Sequence, residues 1–303
     1  MDVPNHLHPE QPVLPALVAH DPELAARLVS GVSGVSGVSR RSAVKGGALL
    51  AAGLASAPVA LAAFARTAFG QTRLPAVVIG VLNYALVLEE LEAEFYVRGV
   101  NASGLIPEAD RVIFTTIRDH ELEHVAFLRR TLGASARPKP TFDFTAGNGS
   151  GSGPYANVFT NYETFKAVAQ AFEDTGVRAY KGGAPVLAGT PFLTPALTIH
   201  SVEARHASEV RRLRGMFTEQ EPQQGWPTGN NRGTGMPAQT QAVYDAGTNT
   251  AVYPAESNTT HLTINVTTLG GTNVTNATSY SESFDEPLDV DAVNAIAGLF
   301  IRR

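Results

Sequence analysis

The chain has 303 residues, 44% of them hydrophobic, with a formal net charge of −5 and a pI near 5.9. That length and apolar content suffice for a full core, and an acidic chain without a basic, aromatic-interleaved stripe argues against a nucleic-acid partner. There are no cysteines, which rules out disulfides, thiolate zinc and iron–sulfur clusters and leaves only oxygen and imidazole ligands for any metal.

Residues 1–38 carry prolines and histidines and end in repeated G-V-S units, a low-complexity extension expected to be disordered. Arg40, Arg41 and Lys45 then precede an uncharged, Gly/Ala-rich run over 46–65. Residues 39–70 thus resemble a twin-arginine export signal, although Ala43 stands where an aromatic or leucine is usual, and cleavage would fall near Ala62 or Ala65. The rival reading is a membrane anchor through 46–65, a run just long enough to span a bilayer. Pro58 and the scarcity of Leu, Ile and Phe favour the signal. The expectation is an exported protein, periplasmic or extracellular, in transient contact with the membrane or export machinery.

Four long helices are predicted over 73–215. The first opens at Pro75 and runs to about Val100, with Leu82, Ala85, Glu89, Glu92 or Ala93, and Tyr96 on its inner face. The second follows Pro107 and stops at Gly133, with Phe114, Ile117, Val125 and Leu128 at helical spacing. A Pro/Gly/Ser-rich connection over 133–160 is long enough to run the length of a bundle. The third helix, 161–181, aligns Phe165, Ala169, Glu173, Gly176 and Tyr180. The fourth begins at Thr194-Pro195 and ends at Gly215, with Leu197, His200, Glu203, His206, Val210 and Leu213 facing in. Beyond it, 216–303 is a Thr/Asn-rich extension expected to cover one face of the bundle. It holds one alternating run (Leu262, Ile264, Val266) that reads as a strand, and a terminal amphipathic segment, 289–301, with Val290, Val293, Ile296 or Ala297, and Phe300 on one side. A strand edge there would support a homo-oligomer.

The chemistry lies in a repeated spacing. Glu121 and His124 are three residues apart and share a helix face, and Glu203 and His206 repeat the pattern. Each pair is preceded by a lone glutamate on an apolar face, Glu89 and Glu173. Counted along their helices, Glu173 and Glu203 both lie about 12 Å from the same bundle end, and Glu89 and Glu121 agree to roughly 3 Å. Four inward carboxylates, if ionised and unpaired, each cost several kcal/mol against a total stability of about 5–15 kcal/mol, so something must neutralise them. Two divalent ions match four carboxylates in charge. Tyr96 and Tyr180 each follow their lone glutamate by two turns, which places a phenol on the same face as a hydrogen-bond donor or redox partner. Whether Glu89 or Glu92 is the first-helix ligand stays open, with the tyrosine spacing favouring Glu89. His200 is either an extra ligand or an outer, capped histidine, and His120 and Glu123 read as solvated.

A glutamate from each of two helices and a Glu-x-x-His from two others is the ligand set of ferritin-like dimetal bundles. The chain resembles ferritin-like proteins of the bacterioferritin and rubrerythrin superfamily, and most closely an exported family that includes desiccation-related proteins. The likeness is carried by L-N-Y-A-L-V-L-E-E-L-E-A-E-F-Y (82–96), H-E-L-E-H-V-A-F-L (120–128), A-Q-A-F-E-D-T-G-V-R-A-Y (169–180), V-E-A-R-H (202–206) and S-F-D-E-P-L (283–288). It implies a mainly α protein: a ferritin-like four-helix bundle with a long crossover between helices 2 and 3, plus an irregular C-terminal extension with short strands and a terminal helix. It further implies two Fe or two Mn ions, with zinc as a third candidate. Glu121 and Glu203 would bridge, Glu89 and Glu173 would be terminal, and His124 and His206 would serve one metal each. The activity implied is reaction with dioxygen or peroxide. The alternative is a non-catalytic metal-binding or desiccation protein with a degenerate site.

Overall fold

The computed structural model describes residues 74–215, 224–269 and 278–302. The expectations for 1–38 and 39–70 fall outside the described residues. Four helices dominate: α1 (Ala76–Asn101), α2 (Glu108–Leu132), α3 (Tyr162–Leu187) and α4 (Leu193–Gly215). Pro75 and Pro107 precede the first two, where a missing N–H costs nothing, and Gly133 at φ 53° ends α2. Asn161 caps α3 by accepting the Thr164 N–H at 2.9 Å. α1 packs along α2, α3 packs along α4, and α1 and α3 meet in the middle.

The helices differ in how much of their circumference they bury. α2 buries one stripe, Phe114, Ile117, Glu121, Leu128 and Leu132, whereas residues 165–180 of α3 are buried throughout. The crossover and the C-terminal extension cover the outer face of the α1–α3 pair. Phe142, Phe144 and Tyr155 from the crossover join Phe95 and Phe172 in one core with Tyr244, Leu288, Val293 and Phe300 from the extension. The chain end also pairs with the crossover, Asp143 N–H donating to Phe300 O at 2.7 Å and Arg302 N–H to Thr141 O at 2.9 Å. No helix among the described residues is long and apolar enough to cross a membrane.

Several local expectations need correction. α3 continues past 181 through Gly182-Gly183 to Leu187, and Gly182 is a packing site within it: a Cβ there would lie 2.0 Å from the Leu288 carbonyl oxygen. α4 starts one residue early, with Pro195 tolerated in its first turn. Leu197 is exposed. The alternating run is no half-buried strand. Thr260–His261 and Ile264–Asn265 form a two-residue hairpin ladder whose turn holds Leu262, 97% exposed at φ 58°. The terminal segment forms α6 (Val290–Ala297), after the short α5 (Ser279–Glu282), and buries Val293, Ile296, Ala297 and Phe300 but leaves Val290 exposed.

What joins the extension to the bundle is polar. Arg178 on α3, wholly buried, donates to the carbonyls of Glu286, Asp245, Pro254, Pro287 and Val243 and lies 2.9 Å from a Glu256 carboxylate oxygen. Beside it, Arg211 grips both oxygens of Asp174 at 3.0 and 2.6 Å, and the Tyr244 hydroxyl donates to the same carboxylate at 2.5 Å. Removing one partner of such a buried pair typically costs about 3–5 kcal/mol, so the extension is tied to the bundle rather than laid over it.

Candidate metal centre

The Glu-x-x-His spacing sends Glu121 and His124 from one face of α2, and Glu203 and His206 from one face of α4. Glu89 and Glu173 enter from α1 and α3. The structure brings all six together. One ligand atom each from Glu89, Glu121, His124 and Glu203 lies within 4.8 Å of the others, and the same holds for Glu121, Glu173, Glu203 and His206. Glu121 and Glu203 belong to both sets, so two four-atom nests share an edge. All four carboxylates are completely buried.

Both rings present Nδ1 to this space. His124 Nδ1 is 3.1 Å from Glu89 Oε2, 3.3 Å from Glu121 Oε2 and 3.3 Å from Glu203 Oε1. His206 Nδ1 is 2.9 Å from Glu121 Oε1 and 3.3 Å from Glu173 Oε2. Proximity does not bring satisfaction. Glu121 Oε1, Glu173 Oε2, both oxygens of Glu203 and His206 Nδ1 are buried without a properly aligned hydrogen bond. A buried polar atom left without a partner costs about 1–3 kcal/mol, more when charged. Cations within the nests would engage all five atoms at once, so the residues present fit metal ions, and their oxygen and imidazole donors suit iron, manganese or zinc.

The electrostatics of the metal-free cluster follow from burial. Burial pushes Glu121 up to about 7, against the close approach of the His124 and His206 rings. Glu203 rises well above the carboxylate range through burial and the charges of Glu121 and Glu89. Burial also acts on Glu89, but the His124 charge and the hydrogen bonds from His124, Glu121 and Tyr180 outweigh it and hold that carboxyl low. The imidazoles go the other way. Burial opposes their charge, yet Glu173 and Glu121 raise His206 to about 11, and Glu89, Glu121 and Glu203 raise His124. Without metal, protons take the place of cations.

Each half of the bundle orients the other's lone glutamate. The Tyr96 hydroxyl on α1 donates to Glu173 Oε1 on α3, and the Tyr180 hydroxyl on α3 donates to Glu89 Oε1 on α1. One oxygen of each carboxylate is thereby fixed and Oε2 is left facing the imidazoles.

The profile of the ferritin-like domain family matches residues 78–216, the span that carries all six clustered side chains. Residues 78–216 are a ferritin-like domain. No curated protein shows a significant match to the chain.

Within the ferritin-like domain the remaining candidates sort by geometry. His200 Nδ1 pairs with the Val177 carbonyl oxygen at 3.0 Å and lies outside both nests, so it is the capped histidine of the two readings. Glu92 is buried but belongs to neither nest, and burial, with the charges of Glu203, Glu121, Glu173 and Glu89, pushes its carboxyl up. Glu123 is exposed. His120 is not merely solvated, as the sequence suggested. Its Nδ1 lies 2.9 Å from His206 Nε2, with the rings nearly parallel at 15°. Burial and the neighbouring His206 and His124 hold His120 below the usual imidazole range, and the contact is satisfied when His206 carries a proton on Nε2 and donates it to His120 Nδ1. The i,i+4 spacing from His120 to His124 was the available signal. His206 thus has an outer partner at the protein surface.

Gly176 on α3 is also fixed by the site. A Cβ there would stand 2.7 Å from Glu203 Oε2, the free end of a side chain rather than backbone. Gly176→Ala is therefore expected to preserve the fold, helped by up to about 1 kcal/mol of helix propensity, while displacing the Glu203 carboxylate. Metal titration by calorimetry should show affinity reduced at least about tenfold, a loss of 1.4 kcal/mol, with the Tm of the metal-free protein unchanged or higher. Unaltered affinity would mean that Glu203 is not a ligand.

Proposed function

We propose that the ferritin-like domain houses a dinuclear iron or manganese carboxylate centre that reacts with dioxygen or peroxide, through Fe(II) oxidation or peroxide removal. We further propose that the protein is exported and serves stress protection, in keeping with its likeness to desiccation-related proteins. One observation carries the reading: buried carboxylate oxygens and imidazole nitrogens converge from four helices, and several make no aligned hydrogen bond among the described residues. When bound, two divalent ions each passing from +2 to +3 supply two electrons, so that dioxygen and two protons become hydrogen peroxide, or hydrogen peroxide and two protons become two waters.

The chain's own residues divide the work. Glu121 and Glu203, common to both nests, would bridge the cations. Glu89 and Glu173 would each hold one, with the second oxygen tethered by Tyr180 or Tyr96. His124 and His206 would each donate Nδ1 as a neutral imidazole, with the His206 Nε2 proton held by His120. The surrounding helices exclude bulk water, which strengthens every charge interaction inside.

Elemental analysis of the full chain, stripped by chelator and reconstituted anaerobically, tests this. The expected result is about two Fe or Mn per chain. The iron form should then oxidise on addition of dioxygen or peroxide, and a zinc-loaded form should bind without redox change. Protein that retains no transition metal after reconstitution would reject the proposal.

A further inference from the structure

The two sides of the cluster are packed differently. On the Tyr96 side the interior is filled by rings: Phe95 stacks on Phe165 at 4.8 Å, and Phe114 meets Phe165 edge-on at 5.1 Å. On the Tyr180 side the bundle interior holds a cavity of about 30 Å³ with walls from all four helices, among them Leu82 and Leu88 of α1, Leu128 of α2, Gly183 of α3 and Ile199 of α4. Tyr180 is itself part of the wall, and its hydroxyl is the donor to Glu89. An occupant of this space is one side chain away from the cluster.

The size and the lining limit what that occupant is. One water needs roughly 10–15 Å³ measured in this way, so the space holds about two water-sized atoms, and apolar cavities of this kind stay dry. Hydrogen peroxide would fit by volume, but its two hydroxyls would lose their hydrogen bonds to water against walls of aliphatic and aromatic side chains that expose almost no polar surface, at a cost of about 2–7 kcal/mol for each polar group. Dioxygen is smaller, has no hydrogen bonds to lose, and prefers an apolar surrounding to water.

We infer that this cavity is a dioxygen site, through which the oxidant reaches the cluster from the Tyr180 side. The inference rests on the redox reading above and narrows it: dioxygen has a dedicated chamber in the bundle, and peroxide does not use it. The electron balance is that of the dioxygen reaction already given.

Xenon, an apolar probe of similar size, tests the chamber in metal-free full-length protein. Crystals pressurised with xenon should show one atom between Leu82, Leu128, Gly183 and Ile199. Gly183→Ala adds a methyl whose only close neighbour would be Val81 Cγ1 at 3.4 Å, so it fits without displacing the fold. Ala196→Leu fills the same cavity from α4. Both variants should lose xenon. After iron loading, both should react about tenfold more slowly with dioxygen, while metal stoichiometry and the rate with peroxide stay at the wild-type level. No xenon in the wild type, or an unchanged dioxygen rate in a variant that has lost xenon, overturns the inference alone. Equal slowing with both oxidants overturns it too, because the route is then shared. If iron-loaded wild type reacts with neither oxidant, the redox reading fails and takes the inference with it.

Discussion

Replacing both shared carboxylates, Glu121→Gln with Glu203→Gln, is expected to reduce bound iron or manganese from about two ions per chain to none and, at pH 8, to raise the Tm of the metal-free protein. The two effects have one cause. Glu121 and Glu203 belong to both nests, so no cation can be held without them. The same two groups are the ones that burial penalises when they ionise, Glu121 up to about 7 and Glu203 well above the usual range. A shift from the ordinary value to about 7 corresponds to on the order of 3 kcal/mol of strain in the ionised fold at pH 8. Glutamine keeps the volume and removes the charge. At roughly 2–4 °C per kcal/mol for a domain of this size, the metal-free double variant should melt about 6–12 °C higher. Elemental analysis and calorimetry on the same samples check both halves. A double variant that keeps its metal, or whose metal-free form is less stable than wild type, would show that these carboxylates serve the fold and not a cation.

Much of the fold and of this cluster could be read from the chain, because both rest on local rules. Pro75, Pro107 and Gly133 mark helix ends by backbone chemistry alone, and three-residue spacing puts glutamate and histidine on one face in any α-helix. Two-turn spacing likewise put Tyr96 and Tyr180 on the faces of Glu89 and Glu173. It did not show that each phenol bonds the other half's glutamate, because that depends on where α1 and α3 cross. The misreadings share this origin. His120 looked solvated because its partner His206 arrives from α4, far along the chain. Arg178 carried no local signal at all, since its acceptors are backbone carbonyls of the extension, which any sequence supplies. The third helix reads as ending at 181, whereas it runs on through Gly182, where the Leu288 backbone docks. Leu262 and Val290 obeyed the right periods in segments too short for the period to be imposed by packing.

The metal-free and metal-loaded proteins are expected to respond to pH in opposite directions between about pH 5 and 8. In the metal-free fold Glu121 is raised to about 7, Glu203 and Glu92 are raised as well, and His206 is raised to about 11 with His124 also up. Each of these groups binds its proton more tightly folded than unfolded. The stability that each contributes is therefore complete below its unfolded value and is lost as pH rises through its folded value: for Glu121 between about 4.5 and 7, for His206 between about 6.5 and 11. Glu89, held low, acts oppositely and only in acid, where protonating it removes stability. The cluster's contribution without metal should thus peak near pH 5 and fall by several kcal/mol toward pH 8. Cations compete for the same atoms and must expel these protons, so their affinity, and the stability they add, grows as pH rises. Thermal melts of chelator-treated and Mn(II)-saturated protein at matched pH from 5 to 8 separate the cluster from every other titrating group, since the rest of the chain is common to both. The gap in Tm should widen steadily with pH. Parallel curves would mean that the buried acids and imidazoles settle their charges among themselves, and that the ferritin-like domain keeps them for a purpose other than holding metal.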